Sequence, residues 1–117
     1  MTTVTIYHNP RCSKSRETLA LLEQRGIKPE VVLYLQQPPD VATLRQLVQA
    51  LGLGSARALM RDKEADYQAL GLDDPTLSEE ALLAALADHP KLIERPIVVA
   101  QGKARLGRPP EQVLEIL

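Results

Sequence analysis

Cys12 is the only thiol in the chain, and it stands in the run Tyr7-His8-Asn9-Pro10-Arg11-Cys12-Ser13-Lys14-Ser15-Arg16, where a β-like segment gives way to a helix-like one. Unpaired amides at a helix start, together with the helix dipole, favour a thiolate over a thiol and can hold an anion in front of it. A sulfur so placed is a nucleophile facing an oxyanion. Arg11, Lys14 and Arg16 crowd the same turn with positive charge. Pro10 fixes the loop that enters the helix and removes one competing donor. A lone cysteine is more often a small buried hydrophobe. The polar, basic turn around Cys12 points instead to a reactive thiol, because such thiols sit in electropositive, partly exposed places.

Other residues could serve that sulfur. His8 either supports the thiolate electrostatically or is an ordinary half-buried histidine at a strand end. Ser15 either donates to the sulfur from within the first helical turn or bonds a backbone group. Three later arginines fall at the edges of elements: Arg61 at the end of a short helix, Arg95 immediately before Pro96 and a strand, and Arg108 just before the last helix. Arginine suits a tetrahedral oxyanion, since its planar fork stays charged and offers two parallel hydrogen bonds. Taken singly, each is most simply a solvated or salt-bridged side chain. Only the fold can gather them.

The elements that must do the gathering are readable in outline. Residues 3–7 alternate and are rich in β-branched side chains, which predicts a strand ending at the reactive loop. Residues 13–24 carry apolar positions at helical spacing and stop at Gly26. The apolar run 31–35, bounded by Pro29 and Pro38, predicts a buried strand parallel to the first. Residues 38–91 then read as a helical insertion. Asp40 caps a helix carrying Val41, Leu44, Leu47 and Val48; short helices follow at 55–60 and 64–70; Ser78 caps another with Leu82, Leu83 and Leu86. Pro96-Ile97-Val98-Val99-Ala100 and Lys103-Ala104-Arg105-Leu106, joined at Gln101-Gly102, predict a hairpin, and Pro109-Pro110 opens a final helix. This order, β-α-β, helical insertion, β-β-α, is that of an α/β thioredoxin-like fold with a mixed sheet. Such folds place a cis proline beside the active cysteine, the position Pro96 would take, although the sequence leaves its isomer open.

The chain as a whole narrows the chemistry. Its 117 residues suit a single domain. No apolar run is long enough for a membrane span or a signal-peptide core, so a cytoplasmic protein is expected. A net charge of −1 leaves no electrostatic footprint for nucleic acid or an anionic membrane. Without Trp or Phe, and with only Tyr7, Tyr34 and Tyr67, there is no aromatic platform for stacking bases. One cysteine cannot form an internal disulfide, so any redox cycle must borrow its second thiol.

His8-Asn9-Pro10-x-Cys12-x-x-Ser15-Arg16, with Glu94-Arg95-Pro96-Ile97-Val98-Val99 and Arg105-Leu106-x-Arg108-Pro109, resembles the glutaredoxin-dependent arsenate reductases of the ArsC family. Leu33-Tyr34-Leu35, Arg57-Ala58-Leu59-x-Arg61 and Tyr67-x-x-Leu70-Gly71-Leu72 extend the match over essentially the whole chain. The resemblance implies that Cys12 attacks arsenate and that Arg61, Arg95 and Arg108 hold the oxyanion and its thiol adduct. It also implies that His8 and Ser15 lower the cysteine pKa. Glutathione, as co-substrate, and glutaredoxin would finish the reduction to arsenite, with no bound cofactor and no metal. Such a cycle needs one thiol in the enzyme and two from outside. The chain departs from the well-studied reductases in reading Cys12-Ser13-Lys14-Ser15-Arg16 where they have Cys-Gly-Thr-Ser-Arg, and in lacking their longer C-terminal tail.

Three other functions share the fold or the chemistry. The Spx-type regulators, which resemble the family but bind RNA polymerase, sense oxidation through Cys-x-x-Cys, and here the second position is Ser15. A glutathione-linked thiol oxidoreductase would use Cys12 without an oxyanion, and the three arginines argue against it. The phosphatase type of arsenate reductase needs Cys-x-x-x-x-x-Arg, and position 18 is threonine.

Overall fold

β1 (Val4–Tyr7) is the strand that the alternating opening predicts, with Val4 and Ile6 turned into the core. The structure, a computed structural model, describes residues 3–117. Two compact units emerge: one takes the chain up to Gln37 together with Arg95–Leu117, the other takes Pro38–Glu94.

In the first unit β1 leads into α1 (Ser13–Gln24), and the chain returns as β2 (Glu30–Val32), parallel to β1 with Ile6 opposite Val31. β3 (Ile97–Ala100) lies antiparallel on the other side of β1, and β4 (Lys103–Leu106) pairs antiparallel with β3. The sheet is therefore mixed, in the order β2-β1-β3-β4, the thioredoxin-like arrangement that the element order predicts. Val4, Ile6, Val98 and Ala100 from the sheet close on Leu22 of α1 and on Val113 and Ile116 near the C-terminus.

Three expectations change in detail. β2 stops at Val32, and the amides of Gln36 and Gln37 both donate to the Leu33 carbonyl, so 33–37 is a turn. β2 is also an edge strand with Val31 41% exposed, not a buried one. An apolar run carries no periodicity by which to tell the two apart. The last helix is 3₁₀, Pro110–Ile116, with Gln112 N–H donating to the Pro109 carbonyl. So short a segment, opened by two residues without amides, does not reach regular α-helical bonding. The expected short helix at 55–60 is likewise a 3₁₀ turn, Ala56–Leu59.

In the second unit Asp40 caps α2 (Val41–Ala50), its carboxylate accepting from Thr43 N–H at 2.8 Å. α2 packs Leu44, Leu47 and Val48 against α4 (Glu79–Asp88), whose Leu82, Leu83 and Leu86 are buried. α3 (Ala65–Ala69) comes between them in the sequence. Glu79 accepts from the Ser55 hydroxyl and the Ala56 amide, which seats the 3₁₀ turn on the start of α4. Among the described residues no helix is long and apolar enough to cross a membrane.

Candidate active site

Cys12 is the residue at which the loop after β1 becomes α1. Its backbone is still extended (φ −95°, ψ 123°), while its carbonyl already accepts from Arg16 N–H at 3.0 Å. That is an N-cap position, where a side chain faces the free amides of the first turn. Asn9 shapes the approach: its carbonyl accepts from Cys12 N–H and its side-chain oxygen from Arg11 N–H, both at 3.0 Å. Upstream, His8 N–H donates to the Val32 carbonyl at 2.9 Å, which ties the loop to the sheet.

The sulfur is half-buried. Burial pushes the thiol up, but the Ser15 amide, the Arg95 guanidinium and the Lys14 amide together outweigh it and hold the thiol below its ordinary value. No amide closes a short cap hydrogen bond on the sulfur. The Ser15 and Lys14 N–H groups still favour the thiolate from the first turn.

The supporting residues divide by what they touch. His8 and Ser15 are both buried, with His8 Nδ1 and the Ser15 hydroxyl 2.6 Å apart, and Asn9 N–H donates to the same hydroxyl oxygen at 3.0 Å. Ser15 thus serves the sulfur through its amide while its hydroxyl holds His8 and the loop. Burial and then the nearby Arg16 charge lower the His8 pKa, so the ring is neutral at neutral pH and brings no positive charge to the thiolate. Arg16 is held by the loop, its Nη1 donating to the Pro10 carbonyl at 3.0 Å.

Two of the three arginines converge on Cys12. Arg108 Nη2 reaches the sulfur at 3.8 Å while its Nε donates to the Arg95 carbonyl at 2.8 Å. That sulfur contact is long and open to solvent, so the lowered pKa comes from the amides and Arg95 more than from Arg108. Arg95 Nε is buried and has no acceptor among the described residues. Pro96 is buried behind it, and the Arg95–Pro96 peptide bond is cis. Arg61 belongs to the helical unit, where its Nε lies 3.3 Å from a Glu64 carboxylate oxygen and its amide donates to the Leu92 carbonyl.

With a thiol, two guanidiniums and a cis proline gathered on one thioredoxin-like sheet, the ArsC family model matches residues 7–116. The chain belongs to the ArsC family. It is 68% identical over 114 residues to the uncharacterized protein YfgD of Escherichia coli (strain K12), covering 97% of this chain and 96% of that one. It is 56% identical to an arsenate reductase of Neisseria meningitidis serogroup A over the full length of both chains. Among solved structures, the arsenate reductase of Vibrio cholerae superposes with a TM-score of 0.97 at 64% identity, covering 99% of this chain and 98% of that one.

Two residues of this ArsC chain shape the site without carrying its chemistry: Asn9, which stands in the family-like motif, closes the loop, and Gly107 packs against Thr18, wholly buried in α1. Nothing but its place one residue before Arg108 marks Gly107 in the sequence. A cavity of about 710 Å³, lined by Thr3, Ile27, Pro29, Gln101 and Leu117 among others, opens at the far end of β1 and holds neither cysteine nor arginine. Among the described residues no group of three or more His, Cys, Asp and Glu side chains is arranged to hold a metal.

Proposed function

We propose that this protein is a cytoplasmic arsenate reductase that draws its electrons from glutathione and glutaredoxin. The observation that carries the reading is the convergence of Arg108 and Arg95 on a thiol whose pKa is lowered. A thiol transferase has no use for two guanidiniums at the sulfur, whereas a tetrahedral oxyanion does. The buried Arg95 Nε–H, a donor without an acceptor among the described residues, supports the same view. The arsenate reductases of Neisseria meningitidis and Vibrio cholerae, alike in sequence over nearly their whole length, support arsenate as the anion.

In this reading the Cys12 thiolate attacks arsenic and displaces one arsenate oxygen, which leaves as water after taking up protons. Arg95 and Arg108 hold the remaining oxygens as charge builds on them. His8 and Ser15 keep the loop and first turn in register with the sulfur. Reduction of arsenic(V) to arsenic(III) takes two electrons. Cys12 has no partner cysteine in the chain, so two external thiols supply them and end as a disulfide, the first from glutathione and the second from glutaredoxin. Water then cleaves the sulfur–arsenic(III) bond, releasing arsenite and the free thiol.

The test is arsenate-dependent NADPH oxidation in a coupled mixture of glutathione, glutathione reductase and glutaredoxin. Wild type should turn over and Cys12→Ser should not. A wild type with no arsenate-dependent rate would move the assignment to a thiol oxidoreductase of another substrate.

A further inference from the structure

Gly107 follows the last residue of β4, precedes Arg108 and is buried. A methyl group on its Cα would stand 2.3 Å from Thr18 Oγ1, 3.2 Å from Thr18 Cβ and 2.7 Å from Pro96 Cγ. The chain at 107 is therefore seated directly on α1 and on Pro96. Neither neighbour yields easily. Thr18 is 0% exposed and its hydroxyl donates to the Lys14 carbonyl at 2.8 Å, while Pro96 is buried and its carbonyl accepts from Gly107 N–H at 3.0 Å. One residue further on, Arg108 spans from the Arg95 carbonyl to the Cys12 sulfur.

We infer that Gly107 is a positioning residue: by lacking a side chain it lets the segment after β4 seat on Thr18 and Pro96, and so sets Arg108 and Arg95 together against Cys12. The inference deepens the oxyanion reading of the site and rests on it for the ligand. Any methyl at 107 must push the segment off α1, press on Pro96, or both. The first moves Arg108. The second moves Arg95, the neighbour of Pro96. The groups bearing on the sulfur are then the amides of Lys14 and Ser15 from α1, Arg95 ahead of β3 and Arg108 after β4. His8 is linked to the site through the Ser15 hydroxyl, and the Arg16 guanidinium is held on Pro10.

The experiment follows alkylation of Cys12 by iodoacetamide across pH, with and without arsenate, in wild type, Gly107→Ala, Thr18→Ala and the double variant. Gly107→Ala should move the alkylation profile to higher pH, slowing the reaction at neutral pH by roughly tenfold, the scale of loosening a cation beside a thiolate. It should also raise severalfold the arsenate concentration that halves the rate. Thr18→Ala removes the nearer obstacle and should match wild type, and the double variant should recover most of the shift. A wild-type profile in Gly107→Ala, or a double variant as displaced as the single one, overturns the inference. Should Gly107→Ala fail to fold, the double variant compared with Thr18→Ala carries the test. Pro96 Cγ still opposes the methyl there, so a smaller shift of the same sign is expected, and coincident profiles or an unfolded double variant overturn the inference. Wild-type alkylation indifferent to arsenate would count against the oxyanion reading alone, because the profile without arsenate still tests Gly107.

Discussion

His8 Nδ1 and the Ser15 hydroxyl stand 2.6 Å apart, and the same hydroxyl oxygen accepts from Asn9 N–H, so one buried oxygen ties the loop after β1 to the first turn of α1. Ser15→Ala deletes that oxygen and leaves the buried Asn9 N–H without an acceptor. An orphaned buried donor costs about 1–3 kcal/mol. The variant should lose stability on that scale in urea unfolding. Its amide remains at residue 15, so Cys12 should still alkylate faster at neutral pH than an unperturbed thiol. Unchanged stability would mean that the oxygen ties nothing.

The neutral state of His8 carries a pH dependence with a definite sign. Burial and then Arg16 hold its folded pKa below the ordinary value of about 6.5. The unfolded chain then binds more protons than the native one, so unfolding free energy is highest above the ordinary value and falls as pH drops through it toward the lowered one. Cys12 acts in the same sense at higher pH, because its thiol is lowered too. His8→Asn keeps a polar partner for Ser15 but takes up no proton in this range. Urea unfolding measured from about pH 7 to about pH 5 should show a flatter fall for the variant. Parallel slopes would remove His8 as the cause.

Arg95 and Arg108 both bear on Cys12 but should separate by readout. Arg95 is a named cause of the lowered thiol pKa, whereas Arg108 meets the sulfur from solvent at 3.8 Å. Arg95→Ala should shift the alkylation profile of Cys12 to higher pH. Arg108→Ala should move that profile less than Arg95→Ala does and raise KM for arsenate by roughly ten- to a hundredfold, the scale of one lost hydrogen bond to a charged group. If Arg108→Ala moved the profile more than Arg95→Ala, the roles given to the two guanidiniums would be reversed.

What could be read ahead of the structure follows from how local each feature is. The β1–loop–α1 turn was legible because a β-branched run, Pro10 and a basic helix start sit within a dozen residues. The β3–β4 hairpin was legible from Gln101-Gly102. Arg57 shows the opposite case. It sits in a family-like block beside Arg61, yet its guanidinium donates to the Tyr67 hydroxyl and to the Leu72 and Asp74 carbonyls, clamping the loop after α3. Nothing in residue type distinguishes a clamp from an anion ligand. Arg16 misled for a similar reason: spacing put it beside Cys12, but a local carbonyl captured it. Gly107 was silent because close approach between segments distant in sequence leaves no trace in either one. The inner face of α1, Ser15, Thr18 and Leu22, was hidden too, since two of its three buried residues are polar.

The turn that delivers β4 toward Arg108 offers a stabilising change. Gln101 at φ 55° and Gly102 at φ 77° both occupy the left-handed region, as a two-residue hairpin loop of this kind requires. Glycine adopts it without penalty, but an ordinary L residue gives up roughly 1–2 kcal/mol there, and asparagine much less because its short polar side chain bonds locally. Gln101→Asn should therefore raise the unfolding free energy by up to about 1 kcal/mol, read as a higher denaturation midpoint with an unchanged m-value. The register Ala100 to Lys103 and Ile97 to Leu106 does not depend on the side chain at 101. Arg108 should thus keep its place and the Cys12 alkylation profile should coincide with wild type. A midpoint that fell would show that the Gln101 side chain makes a contribution larger than its backbone cost.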